Sequence, residues 1–487
     1  MKLSPNLHTL ERKILTFILC VCLAIITIMN HSFTLQAASK DALMQAMENR
    51  KSLPVESNEI ENWPSGPAVG AEAAIVMEAN TGTILYSKNI HEKLYPASTT
   101  KILTCLIAAE TSSLDETVTF SHEAVFSLEQ GSSNMGMDVG QAISMEDCLY
   151  GILVGSANEV ANAVAEHIGG SMEGFAEIMN KKAAELGCMD SHFVNANGLH
   201  DDNHYTSAYD LATIARAFFQ NELLAKISGT PSHHFEPTAT QPDDFILRTH
   251  HKLVTQEYTY EGIIGGKTGY TDMARQTLVT CAEQNGMKLI CVVLKEESPS
   301  QFTDTIDLLN YGFSNFETVN VAENETKYNI DHSDFFQTDN DIFGSSKPIL
   351  SLNKDSYVVL PKTAAFKDIQ STISYDVENE NQIANIDYTY NGVYVGSASV
   401  DIAASTSSYE FDAVMDTITQ AEEPEPEKNI IFVNIKKVLL WVIVGAVLLI
   451  LIFRARSFIQ NYSFSRRRRN VRLAKRNSRR RRRRPRY

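Results

Sequence analysis

Three short stretches of this sequence combine the residue types that acyl transfer to a serine requires. The first is Ser98-Thr99-Thr100-Lys101, which follows Tyr95-Pro96-Ala97. The i, i+3 spacing at a predicted helix start places the serine hydroxyl and the lysine amine on one face. A serine becomes a good nucleophile only when a base takes its proton, and lysine is such a base when burial or a nearby cation lowers its pKa. Alone, S-x-x-K fits a surface serine beside a solvated lysine equally well.

The second stretch, Ser156-Ala157-Asn158, is predicted to lie in a loop after an apolar helix. A second hydroxyl can relay a proton to a leaving amine. The amide of Asn158 can donate and accept together, so it can hold both the lysine and a substrate carbonyl. The tripeptide by itself also fits an ordinary helix-capping loop.

The third stretch is Lys267-Thr268-Gly269, which follows Gly265-Gly266 and precedes Tyr270. Glycine in a strand lets a substrate backbone approach closely. Lys267 can supply a positive charge that binds a substrate carboxylate and lowers the pKa of Lys101. The backbone N–H after Gly269 can join that of Ser98 as an oxyanion hole. As an isolated tripeptide, K-T-G is more often a turn than a site.

The sequence around these stretches predicts a sheet with helical layers. Apolar runs from Ala73 to Met77 and from Thr83 to Tyr86 flank a turn, which indicates a pair of strands. Helical periodicity starts near Ser98, and a capping box at Ser144 opens a helix that ends near Gly155. Further helices are predicted at about 172 to 187, 207 to 220 and 303 to 311, and further strands at 277 to 282 and 288 to 294.

The pattern changes after about Thr318 to short alternating stretches, which predict a small β domain. Within it, Asn391-Gly392 separates two such stretches and predicts a hairpin. An acidic segment with Pro424 and Pro426 predicts an extended linker.

Two apolar segments flank this globular part. Residues from Ile14 to Met29 follow Arg12 and Lys13 and precede small residues, which is typical of a secretory signal, although the long gap before Ala37 also fits an uncleaved anchor. Residues from about Ile430 to Phe453 are long enough to cross a membrane. The sixteen Lys and Arg residues of 454–487 predict a cytoplasmic tail, so we expect residues 40 to 428 outside the cell.

The net charge of −16 is unevenly distributed. Removing the sixteen basic residues of the tail from the 43 in the chain leaves 27 against 59 acidic ones, a net −32. The acidic bulk repels nucleic acid, and no aromatic residues interleave the final arginines, so no nucleic-acid partner is expected. The tail is predicted to stop transfer and to bind anionic lipid headgroups. Seven dispersed cysteines without a C-x-x-C pair predict buried thiols.

The motifs S-x-x-K, S-x-N and K-T-G, in this order, are those of the serine penicillin-recognising enzymes. Over about residues 69 to 405 the chain resembles low-molecular-mass penicillin-binding proteins of the D-alanyl-D-alanine carboxypeptidase type, serine peptidase family S11. Three further segments share in the likeness: Asn195 to Leu199, His204 to Asp210, and Gly266 to Asp272.

The resemblance implies an α/β fold class. The resemblance implies a serine β-lactamase/transpeptidase-like domain, with an antiparallel sheet and helical layers, followed by a small all-β domain. The apolar segment adds an expected C-terminal transmembrane helix. The expected organisation is a signal peptide (1–38), a lead-in linker (39–68), the catalytic domain (69–317), a β-rich stalk (318–415), an acidic linker (416–429), the transmembrane helix (430–453) and the basic cytoplasmic tail (454–487).

Carried over by position, the resemblance implies that Ser98 is the nucleophile, Lys101 its general base and Ser156 the proton relay. Asn158 would orient Lys101 and the acyl side chain, while Lys267 and Thr268 would bind the terminal carboxylate. The expected substrate-binding set is Asn158, Lys267, Thr268, Gly269 and Tyr270. The implied partners are peptidoglycan stem peptides, with β-lactams as covalent inhibitors. The apolar segment and the basic tail predict a single-pass location in the cell membrane, with an extracellular catalytic domain and a cytoplasmic tail. No metal or cofactor is expected.

Two departures from the family stand out. Many relatives carry an arginine after the last catalytic-domain strand that helps to bind the carboxylate, whereas residues 296–305 contain none. Arg275 is the hypothetical substitute. Relatives also often end in an amphipathic helix rather than an apolar segment with an arginine-rich tail.

Three other functions share parts of this pattern. A β-lactamase of class A type uses the same motifs but needs a glutamate for deacylation, and no E-x-x-L-N occurs between Asn158 and Lys267. An esterase fits the motifs but not the anchor together with the β domain. A catalytically inactive wall-sensing receptor is disfavoured because every expected catalytic residue is present. The sequence leaves open the balance between carboxypeptidase and endopeptidase activity.

Overall fold

The computed structural model describes residues 41–328, 350–377, 379 and 382–402, which all belong to one compact unit. The predicted signal peptide, acidic linker, transmembrane helix and basic tail lie outside these residues, as does the end of the predicted stalk. Within the described part of the chain, no helix is long and apolar enough to span a bilayer.

The described helices are α1 (residues 41–51), α2 (Lys101–Thr111), α3 (His122–Phe126), α4 (Met145–Leu153), α5 (Asn158–Gly169), α6 (Met172–Glu185), α7 (Ala208–Gln220), α8 (Glu222–Ser228), α9 (Ser300–Asn315) and α10 (Val321–Asn324). The strands are β1 (Ala73–Glu78), β2 (Ile84–Lys88), β3 (Thr117–Thr119), β4 (Ala142–Ser144), β5 (Ser232–Phe235), β6 (Phe245–Arg248), β7 (Ile263–Thr271), β8 (Arg275–Gln284), β9 (Met287–Glu296), β10 (Phe316–Asn320), β11 (Leu350–Leu352), β12 (Tyr357–Pro361), β13 (Gln370–Ser374), β14 (Gln382–Tyr390) and β15 (Val393–Ile402).

The central sheet has five antiparallel strands in the order β2-β1-β9-β8-β7. The β8–β9 connection is a two-residue turn, Asn285-Gly286, and both residues have positive φ, 51° and 79°. Such a turn matches the twist of an antiparallel hairpin, and Asn and Gly are the residues that tolerate it. Strand β9 lies in the middle of the sheet and β7 at one edge. Because β7 pairs only with β8 among the described strands, its other side is free for a ligand.

Helices cover both faces of this sheet. All six residues of β1 are buried, and the first five alternate between two apolar clusters. Ile75 and Met77 belong to the cluster that includes α2, α4, α5 and α7, whereas Ala74 and Val76 belong to the cluster that includes α9. A strand with both faces buried is apolar throughout, which is why this run shows no alternation in the sequence.

The β-rich part contains a four-stranded sheet, β11-β15-β14-β13, and the pair β10-β12. The predicted hairpin at Asn391-Gly392 is confirmed, because these residues connect β14 to β15 with φ values of 49° and 81°. Side chains of this sheet, including Ile386 and Tyr388, share an apolar cluster with Trp63. The predicted antiparallel sheet with helical layers, followed by an all-β part, is therefore confirmed for the described residues.

Most predicted elements match the structure, with two corrections. Ser98 lies in a short 3-10 helix, Ala97–Thr100, and the α-helix starts only at Lys101. Asn158 is the first residue of α5, a helix that the sequence patterns did not predict. Only Ser156 and Ala157 therefore form the loop. The five cysteines in the described part are all free and buried, as predicted (Cys105, Cys148, Cys188, Cys281 and Cys291).

Candidate active site

Ser98 is presented by a tightly fixed turn. Ala97 has a φ of 51°, which is rare for a residue with a Cβ and is tolerated only where the surroundings hold it. Here the Thr99 hydroxyl donates to the carbonyl of Pro96 (2.7 Å), and the Thr100 hydroxyl donates to the carbonyl of Ala97 (2.8 Å). The turn leaves Ser98 partly exposed, while its neighbours Thr99 and Thr100 are buried.

Lys101 lies fully buried at the start of α2 and contacts the nucleophile. Its Nζ is 3.1 Å from Ser98 Oγ and 2.6 Å from Asn158 Oδ1, and it also donates to the carbonyl of Asn197. Burial, and secondarily the nearby Lys267 cation, hold the pKa of Lys101 well below its ordinary value. This is the environment that an amine needs to serve as a base near neutral pH.

The backbone of Asn197 is a site component that the sequence reading did not assign. Its carbonyl is the third partner of Lys101, and its side chain bonds to Asn162 Oδ1 (2.8 Å). Gly198 has a φ of 81°, and a Cβ there would lie 1.9 Å from the carbonyl oxygen of Ala97. The sequence identified this segment only through its resemblance to the family, because a contact made by a backbone carbonyl does not depend on residue type.

Ser156 lies opposite the nucleophile in a strained loop. Its φ is 57°, and its hydroxyl accepts a hydrogen bond from Lys267 Nζ (2.9 Å). Asn158 follows at the first turn of α5, where its side chain reaches Lys101. Ser156 thus contacts Lys267 through its hydroxyl, and Asn158 contacts Lys101 through its amide oxygen.

The third motif lies on the edge strand β7. Lys267 is buried, which lowers its pKa to about 7, and it also donates to the carbonyl of Thr268 (2.9 Å). Gly269 lies against the nucleophile turn, and a Cβ there would be 2.8 Å from the backbone nitrogen of Ser98. Any larger residue would therefore push the strand away from Ser98.

The structure brings all eight predicted site residues together. Six of them line one open cleft of about 360 Å³: Ser98, Ser156, Asn158, Thr268, Gly269 and Tyr270. Lys101 and Lys267 lie directly beneath it, hydrogen-bonded to the two serines. The arrangement places a nucleophile, a buried base and a second hydroxyl around one space.

Arg275, the hypothetical carboxylate ligand, is engaged elsewhere. Its guanidinium pairs with Glu297 (Nη2 to Oε2, 2.7 Å), and Arg50 shares the same carboxylate (3.2 Å). Its Nη1 approaches the hydroxyl of Tyr270 at 3.5 Å, but Arg275 is not among the residues that line the cleft. Its role toward a substrate stays a prediction.

A buried histidine supports the nucleophile turn and makes it sensitive to acid. His204 Nδ1 accepts the Val194 N–H (3.1 Å), so Nε2 carries the proton and donates to the Thr100 hydroxyl (2.8 Å). Burial lowers the pKa of His204 from 6.5 to about 3. The unfolded chain therefore binds this proton more readily, and the stability that neutral His204 provides above pH 6.5 is lost as the pH falls toward 3.

We expect His204→Gln to flatten the pH dependence of the free energy of unfolding between pH 6.5 and 3. Urea titrations at several pH values would measure it, with exposed His122→Gln as the control. Some slope will remain, because burial also lowers the pKa of His251 to about 4. An unchanged slope in His204→Gln would contradict the assignment of neutral His204 to this turn.

The chain is similar in sequence to known proteins of one family. Residues 60–298 match the family model described as D-alanyl-D-alanine carboxypeptidase, Peptidase_S11. The chain is 34% identical to D-alanyl-D-alanine carboxypeptidase DacF of Bacillus subtilis over 255 residues, 51% of this chain and 63% of DacF. It is 31% identical to D-alanyl-D-alanine carboxypeptidase DacB2 of Mycobacterium tuberculosis over 52% of this chain and 84% of DacB2.

A solved structure extends the likeness beyond the catalytic part. Penicillin binding protein 5 from Haemophilus influenzae superposes with a TM-score of 0.55 at 25% identity, covering 70% of this chain and 98% of that one. The match to DacF spans somewhat less than two thirds of that relative's length. The chain therefore belongs to the D-alanyl-D-alanine carboxypeptidase family, peptidase S11.

Proposed function

We propose that this chain removes the terminal D-alanine from peptidoglycan stem peptides through an acyl-enzyme on Ser98, and that β-lactams acylate the same serine. The observation that carries the proposal is the contact of Ser98 Oγ with the Nζ of a fully buried Lys101 (3.1 Å). The names of DacF and DacB2 support the substrate, and the name of the Haemophilus protein supports penicillin binding.

In the acylation step, Lys101 takes the proton of Ser98 while Oγ attacks the carbonyl carbon of the penultimate D-alanine. A neutral amine keeps two N–H groups. The Asn158 and Asn197 oxygens accept these two, so the lone pair points toward Ser98. The amine is thereby oriented before substrate arrives, which lowers the cost of reaching the transition state.

The negative charge that develops on the substrate carbonyl oxygen needs hydrogen-bond donors. The backbone N–H of Ser98 and that of Tyr270, the residue after Gly269, are the proposed pair. The close approach of Gly269 to Ser98 nitrogen supports this pairing, because it brings strand β7 beside the nucleophile turn.

The leaving amine must gain a proton as the C–N bond breaks. Ser156 Oγ accepts from Lys267, so its own hydrogen is free to be donated to the departing D-alanine. The proton that Lys101 took from Ser98 then restores the Ser156 hydroxyl, so that the proton count balances. Lys267 and Thr268 bind the terminal carboxylate, and water hydrolyses the ester to regenerate Ser98.

The wild-type full chain separates this function from its alternatives. We would measure D-alanine release from an acyl-L-Lys-D-Ala-D-Ala peptide, and turnover of benzylpenicillin in parallel. Release of D-alanine together with a long-lived penicillin adduct supports the proposal. Rapid penicillin turnover without an adduct indicates a β-lactamase, and no reaction with either compound indicates a receptor.

The membrane location is also a proposal. It is supported by the apolar sequence from about residue 430 to 453, followed by the sixteen basic residues of the tail. We propose a single-pass protein with its catalytic part outside the cell and the tail inside. Protease added to intact cells should degrade the catalytic part and spare an epitope at the C-terminus; loss of both would contradict this topology.

The pH dependence of acylation should show the influence of Lys267 on the pKa of Lys101. Acylation needs neutral Lys101, so its rate rises as the pH passes the pKa of that amine. The Lys267 cation helps to lower this pKa, so Lys267→Met should raise it and move the acidic limb to higher pH. Acylation by benzylpenicillin, followed by intact mass at each pH, measures the limb.

Lys267→Arg is the matched control, because it retains the cation and should leave the acidic limb in place. An acidic limb that stays unchanged in Lys267→Met would show that Lys267 does not influence Lys101.

A further inference from the structure

A buried carboxylate lies beside the catalytic motifs but takes no part in the proton transfers. Glu159 follows Asn158 in the first turn of α5 and is 1% exposed. Its Oε1 accepts the backbone N–H groups of Met135 (2.6 Å) and Gly136 (3.0 Å). Burying a carboxylate is unfavourable unless donors compensate, so these two bonds couple the helix strongly to the loop.

The loop that Glu159 holds, residues 131–136, is part of the catalytic cleft. Gly131, Ser132 and Ser133 line the same space as Ser98 and Thr268. The backbone N–H of Asn158 donates to the carbonyl of Ser133 (3.0 Å). Asn158 of the second motif and Glu159, the residue after it, therefore both fasten this loop.

Apart from Met135, which packs against the core cluster, the loop has few apolar contacts. Ser133, Asn134 and Gly136 are exposed, and a Cβ at Gly131 or Gly136 would meet nothing within 4 Å. Loops with little apolar burial open locally at low cost. The two hydrogen bonds to Glu159 are therefore a main polar contact that holds this cleft wall in place.

Two atoms at this junction have no hydrogen-bond partner among the described residues. They are Oε2 of Glu159 and the hydroxyl oxygen of Ser132, and both are buried. Buried polar atoms are normally paired, so an unpaired hydroxyl on a residue that lines the cleft is available to a ligand.

We infer that Glu159 is a positioning residue that fixes the 131–136 loop as a wall of the cleft, where the Ser132 hydroxyl forms a hydrogen bond with the substrate. This inference rests on the proposed function, because the wall acts on affinity only when a stem peptide occupies the cleft. Glu159 itself does not touch the reacting atoms. Its loss should weaken substrate binding far more than it slows chemistry.

The test compares Glu159→Ala and Glu159→Gln in the full chain. Glu159→Ala should raise KM for an acyl-L-Lys-D-Ala-D-Ala peptide on the order of tenfold and change kcat less than about threefold, since Lys101 keeps its own partners. Glu159→Gln keeps an oxygen that can accept both N–H groups, so its KM should stay within about twofold of wild type.

A matched control exists in the β-rich part. Glu325 is buried, and its Oε1 accepts the N–H groups of Lys327 (2.7 Å) and Tyr328 (3.3 Å), with Tyr388 bonded to Oε2 (2.7 Å). Glu325→Ala should lower Tm yet leave KM unchanged. A rise in KM confined to Glu159→Ala separates positioning from a general loss of stability.

The possible outcomes are distinct. Unchanged KM in Glu159→Ala, or an equal rise in Glu159→Gln, overturns the inference while leaving the proposed function intact. If Glu159→Ala does not fold, Ser132→Ala tests the same wall: a KM increase of about threefold or more supports it, and an unchanged KM rejects it. A wild-type chain that releases no D-alanine would instead refute the proposed function, and the inference with it.

Discussion

Ser98→Ala should abolish covalent labelling by benzylpenicillin and lower the rate of D-alanine release more than about 10³-fold, because the nucleophile is lost and no other hydroxyl can replace it. The second hydroxyl of the cleft, Ser156, accepts from Lys267 rather than from the base Lys101. An intact-mass time course of wild type and variant with benzylpenicillin measures the adduct directly.

The Ser98 substitution should leave the fold unchanged. Among the described residues, the Ser98 hydroxyl has one hydrogen-bond partner, Lys101. The hydroxyls of Thr99 and Thr100 hold the turn. Thermal unfolding would check this, and exposed Ser52→Ala serves as a labelling control. A penicillin adduct of full yield on Ser98→Ala would assign the nucleophile to another residue.

Replacing Lys101 should have the second largest effect. Lys101→Met removes the base, and a lost general base typically costs about 10²- to 10⁴-fold in rate. The rate of penicillin acylation, measured by quenched intact mass, should fall by this factor. The Asn158 and Asn197 oxygens would lose their common donor, so a lower Tm is also expected.

Lys101→Arg separates the base from the cation. Arginine keeps a positive charge and hydrogen-bond donors but stays protonated at every accessible pH. If Lys101 acts by accepting the proton of Ser98, Lys101→Arg should be as slow as Lys101→Met. Acylation by Lys101→Arg within about tenfold of wild type would mean that Lys101 acts only through its charge.

The fold was largely readable from local patterns. The Ser144 cap of α4 is confirmed, since its hydroxyl accepts the N–H of Asp147 (3.1 Å), and the Asn391-Gly392 hairpin is confirmed by its positive φ values. Such features are set by residues close in the chain. The start of α5 at Asn158 was missed because the polar motif interrupts the apolar pattern there.

The residues of the site also fall into those that the sequence predicted and those that it did not. Side chains that supply the chemistry, such as Ser98, Lys101 and Lys267, were found because their types and spacing are unusual together. Asn197 and Glu159 were not, since the first acts through its carbonyl and the second through N–H groups more than twenty residues away in the chain. Both contacts join residues that are far apart in the chain, so no short sequence motif predicts them.

The sequence by itself determined the chemical groups, their order, and most of the strands and helices around them, because these depend on residue type and short-range periodicity. Only the tertiary structure decided the properties that make those groups reactive. The pKa of Lys101 is lowered by burial and by Lys267, which lies 166 positions further along the chain. Likewise, Gly269 meets the Ser98 turn only because β7 is the edge strand of the folded sheet. Desolvation and close approach arise from distant segments packed together, and no local pattern contains them.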